Sequence, residues 1–154
     1  NCSAVGGCGA GSAQEQWLRA DLAAHASARC TLAYWHHPRF SSGAHGSDST
    51  YQPFWQALYE ANADLVLVGH DHDYERFAPQ TPTGALDAAR GIREFVAGSG
   101  GKEVRPFSTI RPNSEVRDAS SLGILELTLG SGAYAWRYLP AGGTFADAGS
   151  AGCH

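Results

Sequence analysis

The stretch "ADLVLVGHDHDYERF" (residues 63–77) constrains this chain more than any other. An unbroken apolar run of four to eight residues closed by glycine reads as a buried strand. It gives way at once to two histidines spaced two apart, each followed by an aspartate. A second apolar run, "CTLAYW" (residues 30–35), ends the same way, in "HHPRF". Two strands that each deliver histidine at their carboxyl ends describe a layered α/β sheet, in which ligands sit beyond those ends. In an extended chain residues two apart point alike, so His70 and His72 are expected to aim both rings at one site, or at two metals about 3.5–4 Å apart. Neutral imidazole ligates Zn, Fe, Mn and Ni, and His36 from the neighbouring strand end makes a third candidate ligand. Two ordinary loop histidines are the competing reading of the HxH spacing. Asp71 and Asp73 are expected to face away, as acceptors behind the ligands or as loop caps.

The other elements fit an α/β chain. "SAQE" (Ser12–Glu15) is a capping box, and a helix is expected from there to about Ser27, with Leu18 and Leu22 on one face. "YQPFWQALYEAN" reads as a second helix in which Phe54 and Leu58 share a face. "IREFVAG" reads as a third strand, and "GILELTLGSGAYAWRYL" as a hairpin around "GSG". Residues 102–121 and the tail read as irregular. At 154 residues the chain suits one domain with a sizeable core.

Charge excludes some partners. The formal net charge is -4, and the 11 basic residues form no cluster, which argues against nucleic acid. No apolar run approaches the roughly 20 residues of a membrane helix. The chain starts at Asn1 and contains no Met, which reads as a processed chain or a piece of a longer one. Cys2 and Cys8 flank a Gly-rich loop, Cys153 lies in the tail and Cys30 opens the "CTLAYW" run, all outside any CxxC pattern. A local Cys2–Cys8 bridge around the Gly-rich loop would leave Cys30 with Cys153; four free thiols is the alternative. Disulfides would mean a secreted or extracytoplasmic protein.

"GHDHDYERF" resembles the GHxH-x-Y-E-R segment of purple acid phosphatases, within the calcineurin-like metallophosphoesterase superfamily. "LAYWHHPRF" looks like that family's strand ending in a ligand histidine, and "VAGSGG" like its Gly-rich turn. The resemblance spans most of residues 12–137. It implies a layered α/β sandwich of the metallophosphoesterase type, here a partial domain ending in a β-hairpin, with residues 1–154 as the C-terminal portion of one catalytic domain. It implies metal ligands at His36, His70 and His72, and at His45 a histidine that contacts the phosphate and protonates the leaving group; a solvated loop residue is the alternative reading of His45. Gly46 stands where plant-type members often carry another histidine. His37 is a candidate phosphate contact or a neighbour facing away, and Arg39 a candidate anion contact or a solvated loop residue.

The family's DxH, GDxxY and GNH segments lie upstream of the matched part, and none occurs in this chain. The resemblance therefore implies phosphate-ester hydrolysis by a longer parent holding two metal ions (Fe with Zn, Mn or Fe), completed by a missing N-terminal half. This chain would supply the histidine half of the site and be inactive alone. The alternative is a non-catalytic, truncated metal-binding or interaction module.

Overall fold

The computed structural model describes residues 2–154. Five strands form one mixed sheet in the order β1-β2-β4-β3-β5: β1 (Leu32–Tyr34), β2 (Leu65–Val68), β3 (Tyr74–Phe77), β4 (Arg93–Ala97) and β5 (Ser114–Asp118). β1, β2 and β4 run parallel, while β3 is antiparallel to both β4 and β5. A second, antiparallel sheet is built from β6 (Gly123–Leu129), β7 (Ala133–Pro140) and β8 (Ala148–Gly152) in that order.

Helix α1 (Ala13–Ala24) starts where the capping box predicts: the Ser12 side chain accepts the Glu15 amide, and Glu15 reaches back to Gly11. It ends three residues before Ser27, where His25 closes it by donating its amide to Asp21 and Leu22. Helix α2 (Gln52–Glu60) carries Pro at its start, where a missing N–H costs nothing, and buries Phe54, Trp55, Ala57 and Leu58. Each of the larger three contributes roughly 1.5–3 kcal/mol on leaving water. Trp55 and Leu58 join Val66, Val68, Phe77, Ile92 and Val96 on one face of the first sheet. The opposite face packs Tyr74 and Phe95 against Tyr134, Trp136 and Tyr138 of β7, so the two sheets stack as a sandwich.

There are two disulfides: Cys2–Cys8 closes the N-terminal loop on itself, and Cys30–Cys153 ties the C-terminal end to the body. The second fastens the segment after β8 to the entry of β1. Among the described residues no helix is long and apolar enough to cross a membrane.

Three strands lie where irregular chain is expected from sequence. β5 reads "SEVRD", and its polar side chains are held by ion pairs: Glu115 meets both Arg76 and Arg93. β8 reads "AGSAG", a poor strand former taken up because the indole of Trp136 lies directly against Gly149, where no Cβ fits. β3 is the tail of the "GHDHDYERF" motif itself. Its Tyr74 and Arg76 bond Asp147, at the entry to β8, rather than lining the histidine rim.

Candidate metal centre

β1 and β2 end side by side, joined past their last paired residues by the Gly69 amide donating to the His36 carbonyl at 3.0 Å. With the Trp35 amide donating to the Leu67 carbonyl at 3.1 Å, that bond brings the two histidine segments together. His70 then adopts φ +64°, the left-handed region that non-glycine residues seldom occupy, and the Asp71 amide bonds back to the Gly69 carbonyl at 2.8 Å. The chain turns here instead of running extended, and His72 is not among the histidines that gather around His70.

His36, His37 and His70 form the cluster. One ring nitrogen from each lies within 4.8 Å of the other two, and His36 Nε2 stands 3.2 Å from His70 Nδ1. His37 faces this group, with its ring centroid 4.2 Å from that of His70, instead of turning away. It is stacked on Tyr51, whose hydroxyl meets its Nδ1 at 3.1 Å. The ring of His45 lies against the same histidine, 4.1 Å from His70 centre to centre. His72 lies apart from the trio, its Nδ1 3.2 Å from the Glu103 carbonyl. Arg39 is turned from the rim, bonded to Gln52 and the Pro82 carbonyl and lying over Phe40.

Burial lowers the His37 and His70 imidazoles below their usual range, and the neighbouring histidines lower them further. Neutral rings keep a lone pair for a metal. Two nitrogens on one tetrahedral zinc at about 2.0–2.1 Å stand roughly 3.3 Å apart, close to the His36–His70 separation. The donors therefore fit a borderline metal that accepts imidazole. His72 bonds a backbone carbonyl through Nδ1, the arrangement that orients a ligating histidine.

The acidic residues of the motif work behind the rim. Asp71, fully buried, accepts the His45 amide at 2.8 Å and the Ser41 hydroxyl. Glu75 accepts the Ser42 amide at 2.8 Å and its hydroxyl at 2.5 Å. Glu94 accepts the amides of Arg39 and Phe40, each at 3.1 Å; burial raises its carboxyl well above the usual range against the pull of those amides. Together these carboxylates pin residues 39–45, the loop that carries His45. Asp73 is buried with neither oxygen hydrogen-bonded within the protein. Burial, with Asp71 and Glu75 beside it, pushes its carboxyl up to about 8.

Two glycines permit this packing. A Cβ on Gly43 would collide with the Asp71 and Asp73 side chains, and one on Gly98, in the turn after β4, with the Asp71 carbonyl. Asp71 acts as the acceptor expected behind the ligands, whereas the anchoring roles of Glu75 and Glu94 are not apparent from sequence spacing.

No family model matches this sequence, and no curated protein matches it. Solved structures do. The purple acid phosphatase PPD1 from yellow lupin seeds superposes with a TM-score of 0.78 at 18% identity, over 92% of this chain and 28% of that one. GAP50, the anchor in the inner membrane complex of Plasmodium, gives 0.72 at 16% identity, over 91% of this chain and 42% of its own. PhoD gives 0.59 at 15% identity, over 91% of this chain and 32% of the PhoD chain. The chain thus shares its mixed α/β fold with part of the purple acid phosphatase, of GAP50 and of PhoD, and spans less than half the length of each.

Proposed function

We propose that this chain is the histidine-bearing C-terminal part of a metal-dependent phosphoesterase that hydrolyses phosphate esters outside the cytoplasm. The reading rests on the 3.2 Å approach of His36 Nε2 to His70 Nδ1 at the ends of two parallel strands, with His37 closing the group. His36 and His70 would hold one metal, and His72 would contribute to a second whose remaining ligands come from the preceding part of the domain. The metals, Fe with Zn, Mn or Fe, supply a water acidified by coordination and positive charge for the phosphoryl oxygens. His45, held by Asp71, contacts the phosphate and the leaving-group oxygen. His37 is a further phosphate contact, steadied by Tyr51.

The site on this chain is incomplete. Among the described residues the histidine group includes no carboxylate, and Asp71 and Asp73 are buried, so the group itself brings no negative charge to offset two hard cations. β1 is an edge strand with Tyr34 79% exposed, and Trp17 on α1 is 60% exposed. The N-terminal half of the same domain covers this edge. The two disulfides support an extracytoplasmic location.

A non-catalytic module is the second reading, favoured by the absence of any carboxylate from the histidine group. Hydrolysis of p-nitrophenyl phosphate by the full-length parent, with and without the paired substitutions His70→Ala and His72→Ala, separates the two. Loss of turnover in the variant supports the enzyme, and unchanged turnover removes these histidines from the mechanism.

A further inference from the structure

The segment from Lys102 to Arg111 has no regular structure, yet it is fastened to the rim along its length. The Arg105 amide donates to the His72 carbonyl at 3.0 Å, and the Glu103 carbonyl meets His72 Nδ1. The Ser108 amide donates to the Ser42 carbonyl at 2.8 Å, and the Arg111 amide to the Ser42 hydroxyl at 2.9 Å. These bonds join the segment to the loop that carries His45. They deliver the Arg105 side chain to His45, with Nη1 3.0 Å from Nε2.

A guanidinium only donates, so His45 Nε2 is the acceptor and bears no proton in this arrangement. A neutral ring nitrogen is a weak partner for a cation. The acidic neighbour of Arg105 is Glu103, 3.7 Å away, and both side chains are substantially exposed. Exposed pairs of this kind contribute little. Arg105 is thus a positioned guanidinium, open to solvent and weakly compensated, beside His45 and one ring removed from His70. Planar donors of this type bind phosphate oxygens in pairs.

We propose that Arg105 is a substrate-binding residue whose guanidinium leaves His45 Nε2 to take phosphoryl oxygens of the ester. The proposal rests on the phosphoesterase reading and adds to it a contact from a segment with no recognisable motif. Releasing Nε2 also frees His45 to meet the same phosphate.

The test is titration of the metal-free 154-residue chain with inorganic phosphate, followed by NMR of the histidine ring signals. Arg105→Gln keeps a donor for His45 but removes the charge, Arg105→Lys keeps the charge, and Arg137→Gln is a remote control. Phosphate affinity is expected to fall roughly 10- to 100-fold in Arg105→Gln, to be partly retained in Arg105→Lys and to be unchanged in Arg137→Gln. A parallel Zn²⁺ titration is expected to be the same for Arg105→Gln as for the unsubstituted chain. Equal phosphate affinity in Arg105→Gln and the unsubstituted chain overturns the proposal. So does a chain that binds Zn²⁺ but no phosphate, which leaves the metal centre intact. A chain that binds neither overturns the metal centre and, with it, the role of Arg105.

Discussion

The Asp71 carboxylate accepts the backbone N–H of His45 at 2.8 Å from the far side of the histidine rim. The residue between the two motif histidines thus fixes a third histidine 26 positions earlier. Asp71→Ala removes this acceptor and strands the Ser41 hydroxyl as well. Leaving buried donors unsatisfied costs about 1–3 kcal/mol each. Urea unfolding should show a loss of roughly 2–6 kcal/mol for the two donors, together with NMR broadening of the His45 amide. An unshifted midpoint would mean that water replaces Asp71 without cost.

The two disulfides should differ in what they contribute. Cys30–Cys153 closes a separation of 123 residues, and Cys2–Cys8 one of 6. In the chain-entropy account these are worth about 5 and about 2 kcal/mol respectively. Replacing each pair by alanine and comparing urea midpoints tests the ranking. A larger loss from the Cys2–Cys8 pair would place the stabilisation in native contacts instead of loop closure.

Acid stability should depend on Asp147. Burial opposes its ionisation, yet the hydrogen bonds from Arg76, Tyr74 and Trp136 bring its carboxyl below the usual value. Glu115, on the other side of Arg76, is the second charge in the group. A carboxyl lowered in the folded state contributes stability that is complete above its unfolded value of about 4 and is lost as pH falls through the folded value. Asp147→Asn should therefore flatten the dependence of Tm on pH in that acid window. Breaking the buried pair should also cost about 3 kcal/mol at neutral pH. A variant with the same acid slope as the unsubstituted chain would exclude Asp147 as its source.

Much of the rim was legible because strand ends are legible. Apolar runs closed by glycine or histidine marked β1 and β2, and the parallel register then put His36 near His70. The hairpin was visible in the alternation of Leu125 and Leu127 with Ile124 and Glu126, and β6–β7 follows it. What escaped was set by contacts distant in sequence. The turn at His70 depends on a left-handed residue that spacing rules do not anticipate. The inward face of His37 is fixed by Tyr51, on the short 3-10 turn before α2. β5 and β8 are paired through ion pairs and a tryptophan seat, which leave no hydrophobic pattern to read.

The central claim is that His36 and His70 share one metal ion. Its most direct measurement is Zn²⁺ affinity of the 154-residue chain at neutral pH by competition with a chromophoric chelator, beside His36→Ala, His70→Ala and the remote His25→Ala. One ion should bind the unsubstituted chain and the His25 variant alike, and loss of either rim histidine should weaken binding about 100-fold or more, beyond the roughly 10- to 100-fold of a lost supporting contact. Equal affinity across all four proteins would contradict it.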